Sequence, residues 1–191
     1  MRPIERNEVL PIGEYEAIRP QFQRRVIEEK RPRRIRVGEH MSAIFENRDT
    51  VLFQIQEMLR TERITSESGV LHEIETYNEL IPAEGQLSFT LFVEIPDRAL
   101  RDKMLVDLVG LEDKIAVEVD GQRFAATGRR QDSMPDRTTA VHYMKVTLSP
   151  EAQAAIRSGQ AQAAFVVDHP GYQARTDLTK ATLAKLGEDL L

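Results

Sequence analysis

One change in hydrophobic period, near Gln86, constrains the fold of this chain more than any other feature of its sequence. Upstream of it, apolar residues recur every three or four positions, which is typical of amphipathic helices. Downstream of it, apolar residues occupy alternate positions, namely Leu87, Phe89, Leu91, Val93 and Ile95. Alternation indicates a strand with one buried face, so a helix-rich part is predicted to precede a strand-rich part.

Two helices are predicted just before this change. The first lies in FENRDTVLFQIQEMLR, residues 45–60, where Asn47, Asp49 or Thr50 can cap the free amides of the first turn. The second begins near Ser66. Because few residues separate the two apolar stripes, the helices are predicted to form an antiparallel helical hairpin.

A further helix and a basic arm are predicted closer to the N-terminus. The helix is predicted from about residue 19, within a segment whose apolar residues have helical spacing: Tyr15, Ile18, Phe22, Val26 and Ile27. Several arginines follow this helix. In the stretch 31–46, apolar residues alternate with arginines before Gly38, which supports a turn. That pattern predicts a short β-hairpin that carries part of the basic arm.

After Gln86, further strands are predicted around the Asp120-Gly121 turn, over 138–148 and over 161–167, with helices between and after them. We therefore predict an α+β fold, with a mostly antiparallel sheet of about five strands, a packed helical hairpin and flanking helices. Whether the sheet is open or closed into a barrel is left undecided.

The chain of 191 residues is predicted to form a single domain, 1–191. Within it, 1–84 is expected to be mainly helical and to carry the basic arm, whereas 85–191 is expected to contain the sheet. Residues 131–137, QDSMPDR, are predicted to be a mobile loop.

Composition excludes several classes of chemistry. The chain has no cysteine, so thiolate nucleophiles, cysteine-bound zinc, iron–sulfur clusters and covalently attached haem are excluded. Neither a serine nucleophile motif nor a glycine-rich phosphate loop is present. The N-terminal residues do not resemble a secretory signal, and no apolar run could cross a bilayer, which predicts a cytoplasmic protein without membrane insertion.

A metal site is the first candidate on the helical hairpin. On the second helix His72, Glu75 and Glu79 lie one and two turns apart, and Glu57 lies on the first helix. Nitrogen and oxygen ligands of this kind would suit iron, manganese or zinc, although no cofactor is certain. The competing interpretation is a solvated charged face, because these residues lie opposite the apolar stripes.

Three residues of the strand-rich part are further candidates. His142 shares a strand face with apolar neighbours, so desolvation would hold its imidazole neutral and make it a base or a ligand. Asp168 and His169 follow a strand and resemble an acid–base pair, but Asp-His-Pro-Gly is equally typical of a turn. The turn and a hydrogen-bonded histidine are the alternatives.

The basic arm is predicted to bind a partner through Arg31, Arg33 and Arg34, together with Phe53, an aromatic residue on the polar side of its helix. The chain carries a net charge of −5, and the arm lacks aromatic residues for base stacking, so nucleic acid is not predicted as a partner. An acidic protein, or the acidic surface of a second copy in a homo-oligomer, fits the arm better.

Four motifs, in the order FENRDTVLFQIQEMLR, HEIETYNELIP, AVHYMKVTLSP and DHPGY, resemble an uncharacterised bacterial family, a domain of unknown function. Members of that family are often encoded beside iron–sulfur oxidoreductases related to heterodisulfide reductase subunits and beside rubrerythrin-like proteins. The resemblance implies a role near electron transfer or oxidative stress.

Two functions follow as hypotheses. The first is an accessory protein that binds an iron–sulfur or rubrerythrin-type redox partner, and the second is a metal-binding protein or metal-dependent oxidoreductase with nitrogen and oxygen ligands. Whether the chain is an enzyme is left open.

Overall fold

The computed structural model of the chain describes residues 1–128 and 136–190. Residues 131–135 of the loop predicted to be mobile lie outside the described residues. The helices are α1 (Ile12–Lys30), α2 (Arg48–Thr61), α3 (Glu67–Asn78), α4 (Arg98–Asp107), α5 (Pro150–Arg157) and α6 (Lys180–Asp189). The strands are β1 (Arg34–Val37), β2 (Met41–Glu46), β3 (Gln86–Val93), β4 (Ile115–Val119), β5 (Gln122–Gly128), β6 (Val141–Thr147), β7 (Ala163–His169) and β8 (Tyr172–Asp177).

The prediction of about five strands is wrong, because the sheet has eight strands among the residues that the structure describes. Their order is β1-β2-β3-β6-β5-β4-β7-β8, and every neighbouring pair is antiparallel. The hairpin of the basic arm is part of this sheet, and the sequence pattern does not indicate β8. The sheet is therefore built from both halves of the chain.

The two outer strands, β1 and β8, nearly close the sheet into a barrel. Side chains of β8 bridge the seam: the Tyr172 hydroxyl donates to the Val37 carbonyl at 2.6 Å, and the Thr176 hydroxyl donates to the Arg36 carbonyl at 2.7 Å. A barrel of eight strands is just wide enough for its interior to be filled by side chains.

Three phenylalanines pack against one another in the core. The ring centroids of Phe89 and Phe165 are 4.9 Å apart, and Phe45 lies 5.9 Å from Phe89 and 6.3 Å from Phe165, all in edge-to-face geometry. Each ring is completely buried, which stabilises the fold by roughly 1.5–3 kcal/mol per side chain.

A helical layer covers the outer face of β2 and β3. Asn47 caps α2 and Ser66 caps α3, and the two helices pack through a second apolar cluster: Val51, Ile55, Leu59, Val70 and Ile74. α1 packs on the opposite side of α2 and runs antiparallel to it, because Arg19 pairs with Glu57 near one end and Arg25 with Asp49 near the other. Within the part of the chain that is described, no helix is long and apolar enough to span a bilayer.

Candidate functional site

A buried carboxylate lies between the helical layer and the sheet. Glu46, the last residue of β2, is 3% exposed, and its carboxylate accepts hydrogen bonds from two hydroxyls. The Thr90 hydroxyl of β3 donates to it at 2.6 Å, and the Thr50 hydroxyl of α2 donates to the other oxygen. Because a buried carboxylate is costly without hydrogen bonds, Glu46 fixes α2 against the sheet.

Ser88 and Lys145 extend this polar row across the sheet. Glu46 is opposite Ser88, and Ser88 is opposite Lys145, in the strand register. The Ser88 hydroxyl is buried without a hydrogen-bond partner among the described residues. The Lys145 ammonium donates to the Ile81 carbonyl at 3.1 Å, and burial lowers the pKa of Lys145 although the charge of Glu79 opposes this.

Glu57, predicted as a metal ligand, is bound by two side chains of α1. One carboxylate oxygen accepts hydrogen bonds from the Tyr15 hydroxyl at 2.6 Å and from Nε of Arg19 at 2.7 Å, and the other accepts from Nη2 of Arg19 at 2.8 Å. The guanidinium of Arg19 lowers the pKa of Glu57 against the effect of burial. Burial and the neighbouring carboxylate raise the pKa of Tyr15.

Phe53, predicted as a partner-binding residue, is also covered by α1. Its ring contacts Phe22 edge-on with centroids 5.9 Å apart, and the Lys30 ammonium lies 5.3 Å from its centroid. The polar side of α2 that the sequence left unexplained is therefore an interface with another helix of the same chain.

Glu57→Gln is expected to lower the free energy of unfolding by about 1–2 kcal/mol at neutral pH, because it weakens charged hydrogen bonds to Arg19. The folded-state pKa lies below the ordinary 4.5, so this contribution is present above pH 4.5 and is lost as the pH falls through the lowered value. Urea unfolding of both proteins over a range of pH measures the difference.

The control is Glu16→Gln, which removes a half-exposed carboxylate that pairs with Arg60 at 2.6 Å. It is expected to cost less than Glu57→Gln. A difference between wild type and Glu57→Gln that does not shrink below about pH 4 would contradict the role assigned to this carboxylate.

The four predicted metal ligands are not brought together. Glu57 faces α1, whereas His72 and Glu75 lie on the exposed side of α3, and Glu79, the residue that follows α3, is exposed as well. Among the residues that the structure describes, no group of three or more histidines and carboxylates could hold a metal ion.

The histidines of the strand-rich part make hydrogen bonds within the fold. Nε2 of His142 donates to the Thr139 carbonyl at 2.9 Å, and burial lowers the pKa of His142 against the opposing effects of Glu112 and that hydrogen bond. Nε2 of His169 donates to the Val109 carbonyl at 3.1 Å, and its Nδ1 accepts from the backbone of Gly171 at 3.0 Å.

Asp168 does not form an acid–base pair with its neighbour. Successive residues of a strand point to opposite faces, so the half-exposed Asp168 carboxylate lies 3.5 Å from Arg123 whereas His169 is buried. The residues that follow form the turn between β7 and β8, so the DHPGY motif is the turn of a β-hairpin.

The three arginines predicted to bind a partner have different environments. Arg31 is exposed and pairs with Glu28, and Arg34 is half-exposed and lies 3.4 Å from Glu94. Arg33 is 1% exposed. Of the three, only Arg31 and Arg34 are accessible to another molecule.

Arg33 lies at the centre of a buried ionic cluster that joins distant parts of the chain. Its guanidinium donates two hydrogen bonds to Asp189 of α6, one of them at 2.9 Å, and its Nε donates to Glu29 of α1 at 2.8 Å. Glu29 also accepts from Asn47 at 3.0 Å and lies 3.4 Å from Lys185. Burial by itself would lower the pKa of Arg33, but Asp189 and Glu29 outweigh it and raise the pKa.

The outer face of α1 is the surface that the sequence pattern did not distinguish. Tyr15 and Val26 are buried, whereas Ile18 is 44% exposed and Ile27 is 60% exposed. Arg24 and Arg31 lie one turn before and one turn after Ile27, and both are exposed. We call Arg24, Ile27 and Arg31 the α1 stripe.

The fold and these surfaces define a class of α+β proteins in which a nearly closed eight-stranded antiparallel sheet carries a layer of helices on its outer face. The chain belongs to the family described as "Protein of unknown function (DUF3501)", whose model matches residues 3–190. This match confirms the resemblance to a family of unknown function.

A solved structure is similar over nearly the whole chain. It is the crystal structure, at 1.90 Å resolution, of a novel protein of unknown function from Burkholderia pseudomallei K96243. The sequences are 30% identical, the match covers 99% of this chain and 100% of that chain, and the TM-score is 0.92. The comparison with curated proteins finds no match.

Proposed function

We propose that this protein is a non-catalytic accessory protein that binds an acidic partner protein through the α1 stripe. The observation that carries the proposal is Ile27, a large apolar side chain that is 60% exposed on a helix and has an arginine on either side along the helix. Exposed apolar side chains are unremarkable singly, but an apolar centre with an arginine rim is the composition of protein interfaces.

The other candidate surfaces are less accessible to a partner. Phe53 and Glu57 contact α1, and Arg33 contacts α6, so these side chains already have their interactions inside the chain. The α1 stripe is presented by a helix of 19 residues, whose other side is fixed by Tyr15, Phe22 and Val26. A rigid helix loses little conformational freedom on binding, which favours affinity.

The class of partner follows from charge and from chemistry that this chain lacks. Arginines attract a surface rich in carboxylates, and they set association rate and specificity more than affinity. Because the chain has no cysteine, thiol or iron–sulfur redox chemistry would belong to the partner. The family resemblance makes iron–sulfur oxidoreductases and rubrerythrin-like proteins the first partners to test.

The test measures the affinity of the purified protein for each purified candidate by calorimetry, at low and at high salt. Ile27→Asp is expected to weaken binding at least tenfold, and Arg24→Glu together with Arg31→Glu is expected to weaken it and to remove most of its salt dependence. The matched control is Arg98→Glu, which reverses an arginine that is 87% exposed on α4.

Unchanged affinity of the Ile27→Asp protein for a partner that binds wild type would overturn the assignment of the α1 stripe. Absence of binding to every redox candidate would overturn the assignment of the partner class.

A further inference from the structure

We infer that Lys145 and Ser88 form a site that binds a small neutral aldehyde covalently, as an imine of the Lys145 amine. The site lies on the outer face of the sheet, at the edge of the helical layer, and no residue of the α1 stripe belongs to it. The observation that carries the inference is an amine held by a backbone carbonyl, beside a buried hydroxyl that has no hydrogen-bond partner among the described residues.

Strand pairing brings the two side chains together. Lys145 of β6 is directly opposite Ser88 of β3, and both point to the outer face of the sheet, away from the core residues Phe89 and Met144. Directly opposite residues of an antiparallel pair have Cβ atoms about 4.5–5.5 Å apart. A carbonyl group that reaches the Lys145 amine is therefore also within reach of the Ser88 hydroxyl.

The Lys145 amine has a different environment from that of an ordinary surface lysine. Its side chain is half-buried, and Nζ donates to the Ile81 carbonyl at 3.1 Å rather than to a carboxylate. Burial lowers the pKa of Lys145, and the charge of Glu79 opposes this with a smaller effect. Because only the neutral amine is a nucleophile, a larger fraction of Lys145 is reactive at neutral pH than of a fully solvated lysine.

The reaction needs only the amine and the aldehyde. The neutral amine attacks the aldehyde carbon and a C–N bond forms; the two amine protons then leave with the aldehyde oxygen as water, and an imine remains. The Ser88 hydroxyl donates a hydrogen bond to that oxygen while the C–O bond breaks. Since this hydroxyl has no partner in the part of the chain that the structure describes, it can donate without breaking an existing bond.

The charges around the site favour a neutral aldehyde over an anionic one. Ser88 lies between Glu46 and Lys145 in the strand register, and the charge of Glu79 also acts on Lys145. Two carboxylates beside the site repel a negatively charged ligand. Glycolaldehyde, which is neutral, and glyoxylate, which is an anion of similar size, therefore distinguish this site from an amine that is merely reactive.

The experiment measures labelling of the whole protein by glycolaldehyde at neutral pH, with cyanoborohydride as the reductant. Reduction converts each imine to a stable secondary amine, which peptide mass spectrometry locates. Lys145 is expected to be labelled roughly tenfold faster than Lys103 and Lys180, which are exposed on α4 and α6. The N-terminal amine, whose ordinary pKa is about 8, is scored separately. With glyoxylate, the ratio of Lys145 to Lys180 labelling is expected to be roughly threefold lower.

Ser88→Ala tests the second member of the site. The substitution removes a hydroxyl that has no hydrogen bond to lose among the described residues, so the fold is expected to be retained, and circular dichroism checks this. Labelling of Lys145 relative to Lys180 is expected to fall roughly threefold. Ser68→Ala, which changes an exposed serine of α3, is the matched control and is expected to leave this ratio unchanged.

Labelling of Lys145 that is no faster than that of Lys103 and Lys180 overturns the inference. A folded Ser88→Ala protein with the wild-type ratio overturns it too, because the hydroxyl would then not belong to the site. An equal ratio with glycolaldehyde and glyoxylate overturns the selection of a neutral aldehyde. All three outcomes leave partner binding at the α1 stripe untouched, so the aldehyde site and the proposed function can fail separately.

Discussion

Replacing Arg33 with alanine is expected to lower the free energy of unfolding by about 3–5 kcal/mol, the range found when one member of a buried ion pair is removed. The side chains of Arg33 and Asp189 are 1% and 5% exposed, so alanine would leave the Asp189 carboxylate buried without its guanidinium. Urea unfolding followed by circular dichroism measures the loss as a lower midpoint with an unchanged slope.

Arg31→Ala is the matched control for this prediction. Arg31 precedes Arg33 by two residues, its side chain is 72% exposed, and its partner Glu28 is also exposed. Surface substitutions of this kind change stability by about 0.5 kcal/mol or less. Equal effects of the two alanine substitutions would contradict the role of Arg33.

A second variant separates the loss of the Arg33–Asp189 ion pair from the cost of leaving the Asp189 carboxylate buried and unpaired. Arg33→Met combined with Asp189→Leu replaces both members of the buried pair with apolar groups, which is often neutral or stabilising, and Glu29 keeps its contacts with Asn47 and Lys185. Its stability is expected to lie well above that of Arg33→Ala. A double variant no more stable than Arg33→Ala would show that packing around the guanidinium, rather than the unpaired Asp189, determines the cost.

The local elements of the fold could be predicted because their signals lie within a few residues. Asn47 and Ser66 accept hydrogen bonds from the backbone of the first turn of α2 and of α3, as residues of their type do before an apolar stripe. Asp120 and Gly121 both have positive φ in the β4–β5 turn, which is the conformation that an Asp-Gly hairpin requires.

The number of strands could not be predicted, because β8 has no buried alternation to detect. Its residues are alternately half-buried and exposed, and its outward side chains are polar: Gln173, Arg175 and Asp177. The strand is held by pairing with β7 and by hydrogen bonds from Tyr172 and Thr176 to β1. The residues that bond across the seam are about 135 to 140 positions apart in the sequence, so no local sequence pattern indicates that β1 and β8 are neighbours.

The same limit applies to the polar residues of the candidate site. Arg33 and Asp189 are 156 positions apart, and Glu57 binds Arg19 38 positions away, so the sequence gives their type but not their partners. Helical spacing placed Ile18 and Ile27 with Tyr15 and Val26, although only the last two face α2 and the rest of the fold. A helical period in the sequence shows which side of a helix is apolar, but it does not show how many of those apolar residues the neighbouring helix covers.

Gly38→Ala is expected to lower the free energy of unfolding by about 2–4 kcal/mol, through left-handed strain and through loss of the hydrogen bonds at the barrel seam. Gly38 has φ of +66°, and an added Cβ would lie 2.4 Å from the Tyr172 hydroxyl oxygen. That hydroxyl donates to the Val37 carbonyl at 2.6 Å and accepts from the His40 amide at 3.0 Å, so it cannot move without losing both bonds.

Gly121→Ala isolates the part of this cost that comes from backbone strain. Gly121 has φ of +82°, and no atom lies within 4 Å of the position that its Cβ would take. Its substitution is expected to cost only the left-handed strain, about 1–2 kcal/mol. Urea unfolding of the two variants gives the difference, which measures the contribution of the Tyr172 bridge to closure of the sheet. If both alanines cost the same, the bridge contributes nothing to stability, and β1 and β8 are held together by the core beneath them instead.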